Sequence, residues 1–136
     1  MFSLFASSEL GIDLGTMNVR LFSQTKGLLF DEPAAVAYNR QTDKLMAIGK
    51  KAKQMIGKAP SHVEVTYPLR NGVIADFDQA KALLQQVFKQ SSRQLGLTFK
   101  KPSIVMSVPF HATSVERRSF YEIAKHCGAK HIHFIE

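Results

Sequence analysis

Asp13-x-Gly15-Thr16-x-Asn18 brings together the residue types that hold a phosphate and its metal. A carboxylate at the end of a strand can hold a hydrated Mg²⁺, which keeps several waters while it binds phosphate oxygens. Gly15 has no Cβ, so the backbone can approach the phosphates closely. The amides that follow, from Thr16 to Val19, can then point inward at an anion. Thr16 and Asn18 add short polar side chains, and Met17 lies between them. An ordinary β-hairpin turn also uses Gly, Thr and Asn, so these residues alone leave both readings open.

The elements around this segment give it a setting. Residues 10–14 alternate and read as a strand ending at Gly15. A second strand carries Val19 and Leu21 on one face and Arg20 and Phe22 on the other. A turn at Lys26-Gly27 leads into a third strand over residues 28–30, which completes an antiparallel meander. Residues 35–38 and 45–48 read as a small hairpin, residues 50–56 as a short helix closed by Gly57, and residues 63–67 as a strand ended by Pro68.

Two longer helices follow. Asp78 is expected to cap the first, in which Ala80, Leu83, Leu84, Val87 and Phe88 make one apolar stripe. Thr113 and Glu116 form a capping box for the second, with Phe120, Ile123, Ala124 and Cys127 on its stripe and Gly128 at its end. Residues 104–108 between them are nearly all apolar, as in a buried parallel strand, and residues 132–135 supply another. The order predicts an α/β fold: a mixed five-stranded sheet, with an antiparallel hairpin set extended by parallel strands, and a small α+β insert.

Bulk properties narrow the function. The chain has 136 residues, enough for one core, and 45% hydrophobic with 21% charged residues is globular composition. A net charge of +7 favours anionic partners such as nucleotide phosphates, nucleic acid or an anionic membrane, and does not choose among them. No aromatic-basic stacking pattern points to nucleic acid, and no nucleic-acid partner is expected. Cys127 is the only cysteine, which excludes an internal disulfide and fits a reducing compartment. No apolar run approaches the ~18 residues of a membrane span, and no secretory signal pattern is present, so a cytoplasmic location is expected. His131 and His133 alternate along one strand near His126, but no accompanying Cys or carboxylate spacing completes a set of metal ligands.

Segments in matching order along nearly the whole chain resemble the MreB group of bacterial actins, within the actin, sugar-kinase and large heat-shock chaperone superfamily. They are Gly11-Ile12-Asp13-Leu14-Gly15-Thr16, residues 27–33, Ile48-Gly49 with Ala52-Lys53 and Met55-Ile56-Gly57, and Pro68-Leu69-Arg70-x-Gly72-Val73-Ile74-Ala75-Asp76-x-Asp78. Val108-Pro109, Val115-Glu116-x-Arg118, Gly128-Ala129-Lys130 and Phe134-Ile135-Glu136 complete the set. The resemblance implies a ribonuclease H-like actin ATPase fold. Residues 1–32 and 68–136 would form the first half of the nucleotide cleft, and residues 33–67 a small inserted subdomain.

It further implies ATP and Mg as cofactors. Asp13 matches the metal-facing aspartate, Gly15, Thr16, Met17 and Asn18 the loop around the phosphates, and Glu136 the glutamate that positions the attacking water. Implied partners are other copies in a filament, the inner face of the cytoplasmic membrane and cell-wall elongation proteins, in a system that sets rod cell shape. Two apolar segments match membrane-inserting positions: Phe2, Leu4 and Phe5, and Leu95, Leu97 and Phe99 ahead of Lys100-Lys101. Lysines beside such residues contribute about 1 kcal/mol each at an anionic surface.

The sequence also departs from the family pattern. Met17 stands where Ala or Gly is usual, Val19 where Thr is, Asn71 where Asp is, and Phe110-His111 where small or aliphatic residues are common. No second phosphate loop or adenosine-binding segment follows Glu136, so a partial chain is expected, with weak nucleotide binding and negligible turnover as it stands. A nonenzymatic adaptor that keeps the fold and binds membrane or partner proteins is the alternative.

Overall fold

A computed structural model describes residues 9–14, 17–70, 73–95 and 102–135. Its main sheet has five strands: β1 (Glu9–Leu14), β2 (Asn18–Ser23), β3 (Gly27–Pro33), β9 (Ser103–Ser107) and β10 (His131–Ile135). Their spatial order is β10-β9-β1-β2-β3. β1 and β2 pair antiparallel, as do β2 and β3, while β9 runs parallel to both β1 and β10. The mixed five-stranded sheet expected from the sequence is therefore present.

Alternation decides which face is covered. Leu10, Ile12 and Leu14 of β1, Val19 and Leu21 of β2, and Ile104 and Met106 of β9 are buried in one core. That core includes α2 (Phe77–Leu95) through Leu83, Leu84 and Val87, and α3 (Ser114–His126) through Phe120, Ile123 and Ala124. Val19 is fully buried, which suits valine and would not suit a free hydroxyl at this position. The residues between these positions, Asp13, Arg20 and Ser107 among them, occupy the opposite face.

A second sheet, ordered β5-β4-β6, contains β4 (Val36–Asn39), β5 (Lys44–Ile48) and β6 (Val63–Thr66). Ala35, Ala37 and Ala52 form a separate small core with half-buried Val63, Val65 and Tyr67. Ala52 comes from α1 (Gly49–Gln54), which stops two residues short of the expected Ile56; Gly57, at φ +75°, ends the turn beyond it.

Two expectations need correction, and one element is new. The cap of α2 is Asp76, not Asp78: the Gln79 N–H donates to Asp76 Oδ1 at 3.0 Å, while Asp78 lies within the first turn. A two-stranded ladder, β7 (Leu69–Arg70) with β8 (Val73–Ile74), precedes α2 and was not anticipated. Leu95 is 8% exposed and belongs to the main core, because α2 extends through it and keeps it in phase with Leu84, Phe88 and Ser91. It does not face outward as a membrane-contacting residue would.

The capping box of α3 forms as expected. Glu116 N–H donates to Thr113 Oγ1, and Thr113 N–H donates to Glu116 Oε1 at 2.8 Å.

Candidate functional site

The two parallel pairings bring three strand ends to one edge of the main sheet. Ile12 pairs with Met106, so Asp13 stands beside Ser107, and Ser107 pairs with Ile135. β1 ends and its antiparallel neighbour β2 begins at the same edge. In open sheets with parallel strands, ligands bind at the carboxyl ends of those strands.

Asp13 is half-buried and held in place. Ser107 Oγ donates to Asp13 Oδ1 at 3.0 Å and accepts from the Leu14 N–H at 3.3 Å. This leaves the second carboxylate oxygen without a protein donor among the described residues. On its other side Asp13 pairs in register with Arg20, whose guanidinium turns to Asp31 on β3, with Nε 3.2 Å from Oδ1. The nearest strand-borne cation is thus engaged by another acid.

The described part of the hairpin is tied to β3. Ala34 N–H donates to the Met17 carbonyl oxygen at 2.7 Å, and Asn18 pairs with Pro33. The side chain of Met17 is 46% exposed, and Asn18 is also exposed. Gly15, Thr16 and Glu136 lie outside the described residues, as do Phe2, Leu4, Phe5, Leu97 and Phe99 and the departure at Asn71.

No group of three His, Cys, Asp or Glu side chains with metal-ligand spacing occurs among the described residues. A single strand-end carboxylate suits an ion that keeps most of its water, as Mg²⁺ does, and does not suit a closed protein cage. His131 and His133 are exposed on β10, and His126 Nδ1 lies 2.8 Å from the Glu122 carbonyl oxygen, so that nitrogen carries the proton. Cys127 packs against the main core, and burial pushes its thiol up to about 12, which removes it as a nucleophile. Phe110, in the loop after β9, is 81% exposed.

Ser107 is the site residue that sequence reasoning missed. It belongs to no motif; the available signal was its place at the end of a parallel strand, on the face opposite Ile104 and Met106.

An antiparallel hairpin set extended by two parallel strands, with an aspartate at the carboxyl edge of the first, defines an actin-like fold. The solved MreB 5 of Spiroplasma citri bound to AMPPNP superposes with a TM-score of 0.84 at 34% identity, over 94% of this chain and 38% of that one. The MamK double helical filament superposes at 0.75 with 22% identity, a likeness of fold alone. The family model for MreB/Mbl protein matches residues 7–136, and the chain belongs to that family. It is 37% identical over 128 residues to the cell shape-determining protein Mbl of Bacillus subtilis, covering 94% of this chain and 38% of the relative. It is 36% identical over 136 residues to the cell shape-determining protein MreB of Escherichia coli, covering 96% and 38%. The chain thus spans well under half the length of these relatives.

Proposed function

We propose that this chain is the N-terminal part of an actin-like, ATP-binding cytoskeletal protein. The protein assembles into filaments at the inner face of the cytoplasmic membrane and sets rod cell shape by organising cell-wall elongation proteins. The observation that carries this reading is Asp13, positioned by Ser107 at the edge where the hairpin turns. Membership of the MreB/Mbl family and likeness to an AMPPNP-bound MreB 5 support it.

In this reading residues 1–32 and 68–136 form one wall of the nucleotide cleft, and residues 33–67 a small subdomain. Gly15, Thr16, Met17 and Asn18 surround the phosphates. Asp13 accepts hydrogen bonds from water on the metal. Mg²⁺, when bound, supplies positive charge against the β- and γ-phosphates. Glu136 orients the water for in-line attack. Phe2, Leu4, Phe5, Leu97 and Phe99 contact the membrane, without Leu95, as apolar residues seated in the interface. No helix among the described residues is long and apolar enough to cross a membrane.

Titrating the native protein with a fluorescent ATP analogue in Mg²⁺, alongside Asp13→Ala, tests the reading. Binding that weakens about tenfold or more in the variant is expected, since charged hydrogen-bonding groups contribute roughly 1.5–3 kcal/mol. Equal affinity of both proteins would remove Asp13 from the site. The exposed Met17 at the hairpin favours a second reading, a nonenzymatic adaptor with the same fold. Membrane or partner binding by a native protein that neither binds ATP nor assembles would establish it.

A further inference from the structure

The small sheet ends at β5, which pairs with β4 and with no other strand among the described residues. The outer edge of such a strand presents unpaired N–H and C=O groups, a template for another chain. Proteins often protect an edge by placing charge within the strand. Here the strand runs Leu45-Met46-Ala47-Ile48 after its first residue, Lys44; its register with β4 skips Met46, which bulges at the centre and is 46% exposed, while no charge lies within the last four residues.

Beside this edge lies a groove of about 640 Å³, bounded by β5 and α1 on one side and by Gln86, Gln90 and Arg93 of α2 on the other. Its cations are Lys50, Lys51 and Arg93. Its one acid, Glu32, is already engaged: Oε1 accepts the Lys50 backbone N–H at 2.9 Å. None of the three cations forms an ion pair with a described residue. No aromatic side chain lines the groove, so it lacks the stacking surface that single-stranded nucleic acid uses.

We propose that this groove receives an extended acidic segment of a partner protein. The segment adds to β5 as a fourth strand of the small sheet and sets its carboxylates against Lys50, Lys51 and Arg93. Main-chain hydrogen bonds to β5 supply affinity, and alternate side chains supply selection. Those on the face of exposed Met46 are apolar, and those on the opposite face, toward α1 and α2, are acidic. Gln86 and Gln90, four residues apart on α2, can each donate and accept along the segment's outer edge.

The test uses a fluorescein-labelled peptide of alternating glutamate and valine, about as long as β5, titrated with the 136-residue chain while anisotropy is recorded. Expected are saturable binding and slowed amide exchange across residues 44–48. Combined Lys50→Glu, Lys51→Glu and Arg93→Glu should weaken binding about tenfold or more, since truncation of charge partners at interfaces costs that much. The same peptide with alternate amides N-methylated, which cannot join a ladder, should not bind the unaltered chain. Equal binding of the methylated peptide, or unchanged exchange across residues 44–48, would overturn strand addition. Equal binding of a lysine-valine counterpart would overturn the charge assignment. Tighter binding of an oligodeoxynucleotide, or of phosphatidylglycerol vesicles, through the same three cations would overturn the choice of a peptide partner.

Discussion

Ser107 Oγ donates to Asp13 Oδ1 at 3.0 Å, a bond that joins neighbouring parallel strands at the carboxyl edge of the main sheet. The same hydroxyl accepts from Leu14 N–H, so one side chain fixes both the carboxylate and the last backbone amide of β1.

Ser107→Ala should therefore cost about 1 kcal/mol of stability, the net worth of a typical hydrogen bond, read as a lower urea midpoint at unchanged slope. In the native protein it should also weaken binding of an ATP analogue several-fold, because Asp13 loses the donor that orients it. Ser107→Thr, which keeps the hydroxyl, should restore most of that loss. If Ser107→Ala alters stability but leaves nucleotide affinity intact, the hydroxyl serves packing alone.

Cys127 should be nearly inert in the folded chain. With its thiol pushed by burial from 9.0 up to about 12, against a smaller opposing effect of Lys81, the thiolate fraction at pH 8 falls about a thousandfold. Modification by iodoacetamide should accordingly track unfolding, slow in buffer and fast in denaturant. A folded-state rate matching that of a free thiol would contradict its placement against the core.

The fold was legible in the sequence wherever burial alternates or a cap marks a boundary. β1 and β2 show period-two alternation, and Thr113 with Glu116 announces α3. It was less legible where two local signals compete. Asp76 and Asp78 are both good caps ahead of Ala80, and only the observed hydrogen bond to Gln79 separates them. Leu95, Leu97 and Phe99 alternate like an exposed apolar loop, yet Leu95 also continues the α2 stripe, and packing against the core decides for the helix. β7 and β8 have two residues each, too few for any period. Asp13 was found through its motif, whereas Ser107 meets it from a position 94 residues away, a proximity set by the register of β9.

The capping box gives α3 a pH-dependent start. The Thr113 backbone N–H, and then its side chain, hold the Glu116 carboxyl below its ordinary value of 4.5. A depressed carboxylate contributes stability above its unfolded value and loses that contribution as pH falls through its lower folded value. Thermal unfolding of the chain should thus show a downward step in midpoint below pH 4.5 that Glu116→Gln flattens, since the amide caps without titrating. An identical acid limb in both proteins would assign the loss to other carboxylates.

Gly49 is constrained twice. Its φ of +66° lies in the left-handed region, where a Cβ is strained, and a Cβ built there would collide with the Glu32 carboxylate. Gly49→Ala should destabilise the chain by more than about 1 kcal/mol, the cost of that backbone conformation alone. Glu32→Ala removes the obstruction but also the acceptor of the Lys50 N–H. The double variant should then be less damaging than the sum of the two single ones, as coupled neighbours are. Strict additivity in urea unfolding would show that the collision relaxes without cost.

Ser91 offers a change in the opposite direction. It lies on the buried stripe of α2 with no exposed surface, and its hydroxyl has no hydrogen-bond partner among the described residues. Burying an unpaired hydroxyl is unfavourable, and serine is a poorer helix former than alanine. Ser91→Ala removes both penalties while deleting one oxygen from a site between Val87 and Leu95, two other residues of the buried stripe. The gain should be about 0.5–1 kcal/mol, the sum of a modest propensity difference and a relieved desolvation cost, less a small packing loss. Ser91→Cys, close to serine in volume but with only a weak S–H donor, separates the two contributions because cysteine shares serine's helix preference. Stabilisation by both substitutions would assign the penalty to the hydroxyl, and destabilisation by both would mean that the hydroxyl is paired in solution.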